Sequence, residues 1–245
     1  MRLSIPIFET FMLAAIAFMA LVNVAIYTDV VVGADGSPRA RGGLLEGLTE
    51  LTPQGPTPAQ LAEADTSASL PGRYVPSQGK RHTAAWPLEE RVPYCDDGAV
   101  RDDCYASLPP TSGLHLPVQR GVILEDTVVA LPPDPGIYTF DMPREAVPHL
   151  QEHAGVFVGF HCESDACRAT VLRMGELVRQ ELSVGARVVM APFSDLPPDT
   201  IGLAAWTRVD TFAAADYSDE RVRAFIKAHS CRFDPEGFCP AAPLN

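Results

Sequence analysis

Two imidazoles four positions apart, with a carboxylate directly before the second, stand at His149-Leu150-Gln151-Glu152-His153. On a helix, residues four apart share a face, so both rings could grip one metal ion. The pattern H-x-x-E-H is also the signature of inverted zinc peptidases, in which the glutamate is the general base. A second histidine is presented by Pro109-Pro110-Thr111-Ser112-Gly113-Leu114-His115-Leu116-Pro117. There two prolines stiffen the entry and Gly113 permits an unusual backbone angle. His115, His149 and His153 supply three nitrogen donors, and His82 is a fourth candidate. Three ligands with an open position suit catalytic zinc, whereas a fuller nitrogen set suits zinc storage or copper. Glu152 could orient an imidazole, ligate, or take a proton from bound water. The competing view is that these histidines hydrogen-bond carbonyls and brace loops.

The elements that must position these residues are legible in part. Pro148 is tolerable only in the first turn of a helix and Gly155 follows the motif, so the helix expected over 144–153 is short. That argues against the peptidase precedent, which needs a long helix and a later carboxylate. Candidate later acids, Glu163 and Glu176, stand in ordinary places. Gly121 to Leu131 contains two β-branched runs, and Gly155 to Cys162 reads as a buried strand. Ala166 to Leu182 carries apolar residues at helical period, and Ser218 opens a second helix to His229, which would serve as a cation at its C-terminus. Ala186 to Pro192 and Ile201 to Val209 read as a pair of strands around a turn. The fold expected is α+β: a small mixed or antiparallel sheet with two main helices, preceded by a loop-rich segment.

Thr10 to Thr28 is free of charge for 19 residues, close to the length needed to cross a hydrocarbon core. An uncleaved signal anchor over 1–32 is the expectation. Val32-Gly33-Ala34 would be the site for a cleaved leader instead. Residues 33–73 read as a Pro- and Gly-rich tether, with short helices at Leu44–Leu51 and Pro58–Ala64, and residues 74–245 as the folded domain. Six cysteines arrive as three close pairs: Cys95 and Cys104, Cys162 and Cys167, Cys231 and Cys239. Local disulfides in an oxidising compartment are expected, so the domain should lie on the extracytoplasmic side of the membrane. Cys162 and Cys167 could instead hold metal, but a disulfide suits an exported domain better. With net charge −12 and no basic stripe, nucleic acid is excluded as a partner. The partners expected are the membrane itself and a membrane protein.

The ordered motifs resemble the bacterial domain-of-unknown-function family 3105. Gln78-Gly79 with His82, the P-P-T-S-G stretch with His115, His149 to His153, and Ala205-Trp206 follow its pattern over roughly residues 74–230. Pro148, Gln151 and Ala154 depart from that pattern, and a cysteine-bearing insert lengthens the approach to P-P-T-S-G. The resemblance implies a fold unit and motifs, but no reaction.

Overall fold

The structure, a computed structural model, describes residues 30–32, 38–40, 55–97 and 99–240. The segment expected to anchor the chain and the helix expected over 44–51 lie outside the described residues. Among the described residues no helix is long and apolar enough to cross a membrane. Strands β1 (Val30–Val32) and β2 (Pro38–Ala40) pair antiparallel as a two-stranded sheet in a compact unit that ends at Gly55.

The remainder is α+β. In chain order it contains α1 (Pro58–Ala64), β3 (Arg73–Tyr74), β4 (Gln119–Leu124), β5 (Thr127–Leu131), β6 (Gly136–Ile137), α2 (Val147–Glu152), β7 (Val156–His161), α3 (Asp165–Ser183), β8 (Val188–Pro192), β9 (Thr200–Ala205), β10 (Arg208–Ala213) and α4 (Asp219–His229). Six strands form a mixed sheet in the order β3-β10-β9-β7-β8-β6. β7 pairs parallel with β8 and antiparallel with β9. The expected strand pair around residues 193–199 is therefore split, because β7 lies between β8 and β9. The strand expected over 201–209 also breaks in two. Trp206 and Thr207 form a hairpin turn, with Thr207 at φ 63°, and Arg208 pairs with Ala205.

Alternation along the central strands buries both faces of the sheet. Val156, Val158, Val188, Met190, Ile201 and Leu203 pack on one side with Met174, Leu177 and Val178 of α3 and Val222, Phe225 and Ile226 of α4. Phe157, Val189, Ala191 and Ala204 face the other side, against Leu116, Phe140, Met142, Val147 and Leu150. Each long helix starts on a serine cap: Ser164 accepts from the Cys167 N–H and Ser218 from the Arg221 N–H. The sheet is thus a wall, with two helices behind it and the segment from Leu116 to Leu150 before it.

The compact unit begins at Pro56, so residues 56–73, expected in the tether, belong to the folded domain. The reason is a small third core. Ala59 of α1 is buried with Trp206 and Phe233, whose rings stack at 4.4 Å, and Glu63 accepts from the Trp206 indole at 3.1 Å. The cysteines pair as expected: Cys95–Cys104, Cys162–Cys167 and Cys231–Cys239.

Candidate metal centre

The P-P-T-S-G loop lies flat on the sheet because β9 has a glycine beneath it. A side chain at Gly202 would meet Pro109 Cδ at 2.6 Å and Cγ at 2.8 Å. Thr111 O accepts from the Thr207 N–H at the β9–β10 turn, and Gln151 Nε2 donates to Pro110 O at 2.9 Å. Ser112 Oγ accepts from the Gln78 N–H at 2.9 Å and so tethers the neighbouring segment. Gly113, at φ 107°, turns the chain into a backbone bridge in which His82 runs parallel to His115. That bridge brings the two sequence-distant histidines together, and the side-chain amide of Gln78 secures it by donating to Cys104 O.

Within this frame His115 is fully buried and its Nδ1 lies 2.8 Å from Gly113 O. His149, the third residue of α2, is buried with Nδ1 2.5 Å from Leu116 O. A carbonyl can only accept, so each Nδ1 carries a proton, which leaves Nε2 as the nitrogen that can ligate. His115 Nε2 is buried without a hydrogen-bond partner. Glu152 Oε2 lies 3.2 Å from it, within ion-pair range but outside hydrogen-bond alignment. The other Glu152 oxygen is 3.2 Å from Lys80 Nζ. Burial pushes the Glu152 carboxyl up, but His115 and Lys80 outweigh it and hold the group down at about 2. Burial lowers His149 to about 4, so this ring is neutral at physiological pH.

One donor atom from each of His82, His115, His149 and Glu152 lies within 4.8 Å of every other. Roughly 2.0–2.1 Å bonds to a tetrahedral ion place ligands about 3.3 Å apart, so modest side-chain closure suffices. His82 is exposed and is the ring with most freedom to close.

His153, expected in the set, is not in the converging group. α2 ends at Glu152, and His153 sits at its C-cap with φ −82° and ψ 29°, followed by Ala154 at φ 65°. The ring still meets His149 edge-on at 4.6 Å, but its Nε2 lies 3.3 Å from Glu236 and the ring packs on Phe238 at 4.1 Å. Glu152, three residues after His149, faces the site in its place. Sequence reasoning missed Lys80, whose only signal is its position two residues before His82. It also misread His229. That ring is buried, donates to Pro71 O and accepts from Arg232 Nε, and burial lowers it to about 4, so it is neutral and not a helix-end cation.

The model of a family described as a protein of unknown function, DUF3105, matches residues 95–240. The chain belongs to the DUF3105 family. No curated protein and no solved structure matches. The DUF3105 match takes in His115, His149 and Glu152, while Lys80 and His82 precede it.

His149 and His229 also set a pH dependence. Each has a folded value near 4 against roughly 6.5 unfolded, so the unfolded chain binds more protons between those limits. Their contribution is complete above about pH 6.5 and is lost as pH falls toward 4. Thermal melts of metal-free protein should show Tm falling across that window, and a flat profile there would contradict the neutral assignments.

Proposed function

We propose that this DUF3105 domain binds one transition-metal ion, zinc or copper, through His82, His115, His149 and Glu152. The observation that carries this reading is the convergence of four donors around a buried imidazole nitrogen that has no hydrogen-bond partner. Such a nitrogen is costly unless something satisfies it, and a metal ion does so while also neutralising Glu152. Two histidines already fixed through Nδ1 to carbonyls have the tautomer and orientation that ligation requires. Three disulfides fit an oxidising, extracytoplasmic setting. We place the domain there, held to the membrane by the apolar segment at 10–28.

A second reading has its own support. Glu152 bridges Lys80 and His115, so the cluster would also serve as an ionic brace in a structural or interaction subunit of a membrane complex. Hydrolysis is the weakest alternative, because Glu152 is already engaged by Lys80 and lies beside His115, and α2 is only six residues long.

Calorimetric titration of metal-stripped protein with zinc or Cu(II) separates the first two. Uptake of one equivalent supports a metal centre, and no uptake of either ion leaves the brace. Lys80→Met sharpens the test. Removing the positive charge that contacts Glu152 relieves roughly 1 kcal/mol of repulsion toward a bound cation, so affinity should tighten about fivefold, whereas a brace would only be weakened.

A further inference from the structure

The Cys162–Cys167 disulfide occupies a place in the fold that neither of the other two shares. Parallel strands β7 and β8 are joined through α3, and the C-x4-C turn lies between the carboxyl end of β7 and the first turn of that helix. In open sheets the carboxyl ends of parallel strands are where ligands are met. A cysteine pair at the turn from strand to helix in a βαβ unit is the arrangement of thiol–disulfide exchange proteins.

The two sulfurs are unequally presented. Cys167 is buried in the first turn of a 19-residue helix, where its N–H donates to Ser164 Oγ at 3.1 Å. Cys162 is half-buried and lines a cleft of about 480 Å³ with Phe160, His161, Arg168, Phe193 and Ser194. The turn is held independently of the sulfur bond, since Asp199 Oδ1 accepts from the Glu163 and Ser164 N–H groups at 2.9 Å each. Breaking the disulfide therefore leaves the helix cap and the turn in place. By contrast, Cys95–Cys104 and Cys231–Cys239 close irregular loops away from any long helix start.

We infer that Cys162–Cys167 is an exchange-active disulfide that oxidises a dithiol presented in this cleft, with Cys162 Sγ as the attacked atom. A substrate thiolate attacks Cys162 Sγ, the Cys162–Cys167 bond breaks, and Cys167 Sγ leaves with the electron pair. The departing thiolate sits at the positive end of α3 before it takes a proton. The second substrate thiolate then attacks the substrate sulfur of the mixed disulfide and expels Cys162. The substrate dithiol has lost two electrons and two protons, and the protein disulfide has gained them. Asp199, whose carboxylate lies within 4.8 Å of both sulfurs, opposes the leaving thiolate and limits the rate.

The test uses the full chain and dithiothreitol as the probe dithiol, with thiol alkylation and mass mapping of each cysteine. Cys162 and Cys167 should be alkylated at least about tenfold faster than the other four, with the far-UV circular dichroism unchanged. Asp199→Asn should quicken this several-fold. With oxidised glutathione, Cys167→Ser should accumulate a glutathione adduct on Cys162, whereas Cys162→Ser should leave Cys167 unmodified. Reduction of all three disulfides together, reduction of this pair last, or its reduction only with loss of helix signal would each overturn the inference. These outcomes do not depend on whether the histidine cluster binds metal.

Discussion

His115→Ala combined with His149→Ala should abolish stoichiometric zinc or copper uptake while His153→Ala leaves it within about twofold. The contrast follows from geometry. Nε2 of the first two rings points into the cluster, whereas His153 is turned toward Glu236 and Phe238. Structural zinc sites are worth roughly 10–16 kcal/mol over four ligands, so each ligand lost should weaken binding about a hundredfold to a thousandfold. Gly113 O and Leu116 O would each lose a donor, at about 1–3 kcal/mol apiece. Circular dichroism must therefore confirm that the double variant folds before the titration is interpreted. Equal losses from His153→Ala and the double variant would refute the four-donor site proposed above.

Trp206→Ala should be the most damaging single substitution outside the cluster, costing about 3–5 kcal/mol. Its indole is buried, stacks on Phe233 and donates to Glu63, so one side chain ties the β9–β10 turn to α1 and to the loop closed by Cys231–Cys239. In a domain of this size that loss should lower Tm by roughly 6–20 °C. Limited proteolysis should also release α1 early, since Ala59 is its one buried residue and packs in the same small core. A Trp206→Ala protein that melts normally, with α1 still protected, would mean that other contacts hold this corner.

Much of the fold was legible because its signals are local. Apolar stripes mark α3 and α4, Ser218 marks the start of α4, apolar runs mark β7 and β8, and close cysteine spacing matched the observed pairs. What escaped is non-local. Nothing in Ala205-Trp206-Thr207-Arg208 announces a hairpin, because the usual glycine or asparagine is missing and Thr207 itself takes the positive φ. The proline-rich stretch before Tyr74 looks like a linker until Trp206, more than a hundred residues later, supplies a surface for Ala59. Of the five candidate ligands, the fold brings together His82, His115, His149 and Glu152. His153 was placed by assuming that the helix runs one residue further than it does. Lys80 became visible only when the backbone bridge set His82 beside His115.

Gly113 and Leu116, whose carbonyls hold the two buried imidazoles, belong to one four-residue run of chain. Folding has therefore already met the entropic cost of orienting half the donor set, and an arriving ion has only His82 and the Lys80–Glu152 contact to rearrange. Such a centre would load quickly, and its discrimination between ions would rest on coordination geometry more than on chain ordering. Backbone amides from Gly113 to Leu116 would slow their hydrogen exchange on loading, so occupancy would be readable from this segment without observing the ion.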